Sequence, residues 1–166
     1  MLHRPCHRGA WPPQRTVILT LLGILACAAG SAGEPEKHPT LAEHCLTAET
    51  FLNEKLLIWQ KRLKLEDWNI TIKLVRTSQL KPKTLGNIHW DSDTKRAGIN
   101  VLSPADYKIP FPEALQDMEF TVVHELLHLQ LSSLPRNEAS RSAEEKAVNN
   151  LTDALLVLER QLPKDH

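Results

Sequence analysis

The segment that most limits how this chain can fold is TVVHELLHLQL, residues 121–131. Val122, Val123, Leu126, Leu127, Leu129 and Leu131, with Phe120 before them, make a helix here apolar nearly all round, and such a helix has to be buried. Yet it carries His124, Glu125 and His128. Buried polar groups need partners. Residues four apart share one face of a helix, so His124 and His128 would present two imidazoles to one point, with Glu125 one position round. Two arrangements satisfy them: a His–Glu hydrogen-bond cluster closed on itself, or a metal ion held by both rings. The H-E-x-x-H spacing favours the ion, with Glu125 beside it to accept a proton from metal-bound water.

The rest of the chain supplies a setting for that helix. Leu41, Cys45, Ala48, Leu52, Leu56, Trp59 and Leu63 recur at spacings of three and four, predicting a helix from Thr40 to about Lys64, with Thr40 and Glu43 as a capping box. That helix is expected to lay one face on a sheet. Trp68–Val75 alternates as a half-buried strand, and 85–91 and 97–102 read as two more strands joined by a hairpin loop at Ser92–Lys95. Gly98 suggests a bulge or a close approach. A loop with three prolines follows, and Pro112 suits the first turn of the motif helix. A last helix is expected from near Asn137 or Ser142 to Leu162. The order helix, three strands, helix, helix is that of an α+β domain with a small sheet.

The first 33 residues form a different region. Arg4, Arg8 and Arg15 precede an apolar run from Thr16 to Ala29, and small residues follow. This is the layout of a secretory signal, and the run is short for a membrane span of about 20 residues. Ile24-Leu25-Ala26-Cys27 resembles a loose bacterial lipobox, which would make Cys27 a lipid-anchor site. Residues 34–39 read as a short tether and 40–166 as the working domain. Without the leader the chain has 17 basic and 20 acidic residues. That balance argues against nucleic acid as a partner, which needs a basic surface. Three cysteines are too few for a disulfide framework. The expectation is an exported monomer, periplasmic or extracellular, held together by packing and a metal.

A catalytic zinc site ordinarily takes three protein ligands and one open position. The following helix offers two glutamates, Glu144 and Glu145. Glu144 falls in line with Val148, Leu151 and Leu155, nearer the centre of the apolar face, and a capping box from Ser142 would engage Glu145 structurally. Pattern alone thus leans to Glu144.

HELLH followed by a glutamate on the next helix resembles the gluzincins, the thermolysin-like zinc peptidases, and the short chain resembles their reduced members, the minigluzincins. The stretch from Trp59 to Trp68 and Lys95–Ile99 is similar to uncharacterised bacterial exported members of this type. The metzincin pattern is absent, because Leu131 and Leu134 stand where its glycine and third histidine belong. Gluzincins often place a small residue three positions after the ligand glutamate and Asp or Asn four after it. Counted from Glu145 these are Val148, a departure, and Asn149. The resemblance therefore implies a zincin-like fold, one Zn2+ ion on His124, His128 and Glu145, Asn149 orienting a histidine, and Glu125 as general base of a peptidase acting on peptide or protein substrates. A peptide could add to the sheet along Ala97–Leu102. The rival class is an exported metal-binding or pseudo-peptidase domain that binds a protein partner without catalysis. Tyr107 and His89 are further candidates for the site, as oxyanion donor and strand-borne histidine. Arg141 and Lys146 read as ordinary surface charges.

Overall fold

A computed structural model of the chain describes residues 39–135 and 138–162, which lie in the compact unit Lys37–His166. The leader, Cys27 and nearly all of the tether lie outside the described residues. Among the described residues the architecture is α+β, with three α-helices and a three-stranded mixed sheet. No described helix is long and apolar enough to cross a membrane.

Helix α1 spans Leu41–Arg62. The capping box forms as expected: the Thr40 hydroxyl accepts from the Glu43 amide at 3.3 Å, and the Glu43 carboxylate accepts from the Thr40 amide at 2.6 Å. Its buried stripe is Ala48, Leu52, Leu56 and Trp59, while Leu41 is exposed. The helix rests on helix α2, Phe111–Gln130, as well as on the sheet. The Gln60 amide closes its far end by donating to the carbonyls of Leu65 and Trp68, which launches the first strand.

Strands β1 (Asn69–Val75), β2 (Gly86–Asp91) and β3 (Arg96–Leu102) follow. Ser92–Lys95 makes the hairpin turn, tied by Asp91, whose side chain accepts from the amides of Asp93 and Thr94. The spatial order is β1-β3-β2, with β1 parallel and β2 antiparallel to β3. This corrects the expectation that a peptide could add along Ala97–Leu102. That strand is the centre of the sheet, hydrogen-bonded on both sides, and β2 is an edge. Ala97, Ile99 and Val101 face the helices and join the core with Met118, Val122, Val123, Leu126 and Leu129 of α2.

Helix α2 begins one residue before Pro112, after Pro110 as N-cap. Helix α3 spans Glu138–Gln161, so Ser142 lies inside it and caps nothing. Its inner face is Val148, Thr152 and Leu156. Leu151, expected on that face, is 48% exposed.

Candidate metal centre

Helix α2 runs as the inner layer between α1, the sheet and α3. Val122 and Leu126 are fully buried, which fixes the rotation of the helix and turns His124 and His128 toward α3. The two Nε2 atoms stand 3.0 Å apart. The Glu145 carboxylate comes across from α3, with Oε2 at 3.5 Å from Nε2 of His124 and Oε1 at 3.4 Å from Nε2 of His128. His124, His128 and Glu145 thus form a possible metal-binding triad. Around a tetrahedral ion with bonds of about 2.0–2.1 Å, ligand atoms sit roughly 3.3–3.4 Å from one another. Each Glu145 oxygen lies at about that distance from one Nε2, and the two Nε2 atoms, 3.0 Å apart, stand somewhat closer to each other.

The opposite sides of the two rings differ. Nδ1 of His128 lies 3.1 Å from Oε1 of Glu144. A carboxylate behind a ring nitrogen fixes the tautomer so that the other nitrogen is free to ligate. The two glutamates, between which pattern alone leans to Glu144, therefore divide the other way: Glu145 meets the rings on the shared Nε2 side and Glu144 supports one from behind. Asn149 hydrogen-bonds the His124 ring, but on its Nε2 side and not from behind it as the resemblance implies. It does not satisfy Nδ1 of that ring, which is buried with no partner among the described residues.

Electrostatics follow from this crowding. Burial, and then the neighbouring His128, push the His124 pKa down, so its ring is held neutral, the form that ligates a metal. Burial, and then the nearby Glu145 charge, push the Glu125 carboxyl up to about 7. Glu125 is 8% exposed and lines the same cleft as the triad.

That cleft, about 960 Å³, lies between β2 and α3 with α2 as its floor. Gly86 makes the close approach possible. A Cβ there would stand 2.4 Å from Cγ2 of Thr121 and 2.7 Å from the Asn100 carbonyl oxygen, so any larger residue would push β2 away from α2. Thr121 is one turn before Glu125, and the start of β2 is therefore pinned beside the motif.

Two sequence candidates fall away from the cleft. His89 pairs with Gly98 on the sheet face turned from the helices, where its ring fills the space a Cβ would take at 2.5 Å. Gly98 marks a close approach, of this side chain rather than of another backbone. Tyr107 packs against the core and does not line the cleft; its hydroxyl is buried without a partner among the described residues, and burial, then Asp117, raise its pKa. Conversely, Lys81, Lys83, Trp90 and Arg141 do line the cleft. Local pattern carries no signal that separates them from other surface residues.

No family model, curated protein or solved structure matches the chain.

Proposed function

We propose that this protein is a zinc-dependent peptidase with a minimal zincin-like domain, exported as its N-terminal sequence suggests. The observation that carries the reading is the convergence of His124, His128 and Glu145, whose ligand atoms all lie within 4.8 Å of one another, beside a buried carboxylate that a purely structural site does not need.

Bound zinc would supply a Lewis acid that polarises a carbonyl and brings the pKa of a water from 15.7 to about 7. The chain's own residues do the rest. Glu125 takes the proton of the water that attacks the scissile carbonyl carbon, and then delivers it to the amide nitrogen as the C–N bond breaks. Its raised pKa suits a group that must both accept and release a proton near neutrality. Glu144 holds the His128 ring in one tautomer. The outer edge of β2, pinned next to Thr121, is the place for an extended peptide to pair.

The test is Glu125→Gln in the zinc-reconstituted protein. The variant should keep stoichiometric zinc by elemental analysis and lose at least about 100-fold in peptide hydrolysis, the low end of what a general base contributes. A wild-type protein that holds zinc yet cleaves nothing in a diverse peptide library would instead favour the metal-bearing binding domain.

A further inference from the structure

The charged groups of the cleft fall into two sets. Its three carboxylates are Glu125 on α2 and Glu144 and Glu145 on α3, the last two against histidine rings. Every other ionisable side chain that lines it is a base. Lys81 and Lys83 stand on the approach to β2, and Arg141 stands on α3. None of these three is within ion-pair distance of a described carboxylate. Arg141 precedes Glu145 by one helical turn, a rise of about 6 Å, so a guanidinium reaches the residues next to a bond held at the triad. The two lysines lie on the wall across from it. Between the two walls, Leu85, Ile88, Trp90 and Phe120 give apolar lining.

Resting on the peptidase reading of the same site, we infer that the cleft selects acidic peptides. It takes extended segments with Asp or Glu on both sides of the residue over the triad, read by Arg141 on one wall and by Lys81 and Lys83 on the other. A domain with more acids than bases would repel such a ligand over most of its surface. A rim of three cations in a concave site reverses that locally, because low-dielectric walls focus the field. In the zinc-loaded protein the ion's two charges would offset two of the three carboxylate charges in the cleft, leaving the cations of the rim in excess. Each exposed pair contributes only a few-fold in affinity, so the selectivity comes from the three acting together and is screened by salt.

The experiment uses the zinc-loaded full chain carrying Glu125→Gln, so that ligand is bound and not consumed. Fluorescent peptides identical except for Glu, Gln or Lys at the flanking positions are titrated by anisotropy, at roughly 50 mM and 500 mM salt. The Glu peptide should bind about 10–50-fold more tightly than the Gln peptide at low salt, and the gap should shrink to about threefold or less at high salt. Adding Arg141→Glu should reduce the low-salt preference by about fivefold or more, and adding Lys81→Glu with Lys83→Glu as well should invert it toward the Lys peptide. All three positions are exposed, and zinc content checks that the variants are folded. Equal binding of Glu and Gln peptides, a preference untouched by the charge reversals, or no binding of any peptide overturns the inference. The catalytic reading fails separately: a wild-type protein that prefers acidic peptides and never cleaves them keeps the cleft's selectivity and loses the peptidase, while one that cleaves Glu and Gln peptides at equal kcat/KM does the reverse.

Discussion

Helix α2 buries charge at two places, and it does so in opposite ways. Toward α1 lies Glu119, 7% exposed, whose Oε1 accepts from the Trp59 indole at 3.1 Å and from the Lys55 ammonium at 2.8 Å. A carboxylate taken out of water is there compensated by a cation and a neutral donor, both from the neighbouring helix. Toward α3, one turn and more along, lie His124, Glu125 and His128. There one ring nitrogen has no partner, two others point at each other, and a carboxyl is driven up to about 7. The first cluster is complete within the chain. The second leaves Nδ1 of His124 without a partner among the described residues and crowds two ring nitrogens and the Glu145 carboxylate round one point, where a cation would fit between them. The difference teaches how to sort buried polar groups: satisfaction marks a structural role, and a shared, converging deficit marks a site for a ligand.

The comparison is broken or sharpened most by the metal itself. An ion that binds only the folded state, at about a thousand times its dissociation constant, adds about 4 kcal/mol of stability. For a domain of this size that is an upward Tm shift of about 10–20 °C on adding zinc, reversed by a chelator and absent in His128→Ala. Calorimetry with and without metal checks it, and an unchanged Tm would place both clusters in the same structural class. Next in size is Glu119→Ala. It strands the Lys55 ammonium and a buried indole N–H, and should cost roughly 2–4 kcal/mol in denaturant unfolding. Zinc content should not change. Loss of zinc in that variant would show the two clusters to be one coupled network.

A third effect distinguishes the clusters by pH in the metal-free protein. Glu125 has a folded pKa of about 7 against an ordinary 4.5, so the folded state holds the proton more firmly than the unfolded chain does. Its ionisation therefore opposes folding. The loss begins as pH rises past 4.5 and is complete above 7. His124 runs the other way, since a ring kept neutral by burial destabilises the fold as pH falls below its ordinary 6.5. Subtracting wild type from Glu125→Gln isolates the carboxyl. The variant should match wild type near pH 4 and exceed it by roughly 2–3 kcal/mol at pH 8. A difference that does not vary with pH would mean that Glu125 is solvated like a surface acid.

The elements themselves were legible because each has a period of its own. The stripe of α1, the alternation of β1 and the apolar wrap of α2 follow from local rules, and their ends fell within a few residues of the expected ones. Neighbour relations have no such local signature. Nothing in the alternation of 97–102 says that it will be the middle strand, so an edge was expected where a centre stands. The face of α3 was misjudged by one column. Thr152, whose hydroxyl is spent on the Val148 carbonyl, takes the buried place expected of Leu151. Within the site, His124, Glu125 and His128 could be read from spacing alone, because one helix sets their geometry. Lys81, Lys83 and Arg141 could not, since a cation on a cleft rim and a cation on an open surface look the same until the walls are built.

The smallest effect tests the finest distinction, that between two adjacent glutamates. Glu144 lies in line with Val148, on the buried face of α3, and its depth takes it past the front of the His128 ring to the nitrogen behind. Glu145, to one side of that face, is the one whose oxygens reach both Nε2 atoms. Being central to the apolar face is thus the property of the supporting group and not of the ligand. Glu144→Gln keeps the shape but loses the charge behind Nδ1, and should weaken zinc by about 10–100-fold, while leaving one ion per chain at saturation. Glu145→Gln removes an ionised ligand and should weaken zinc considerably more. Competition with a chelator of known affinity measures both. If Glu144→Gln proved the more damaging of the two, their roles would be exchanged, and the column that packs best would be the column that ligates.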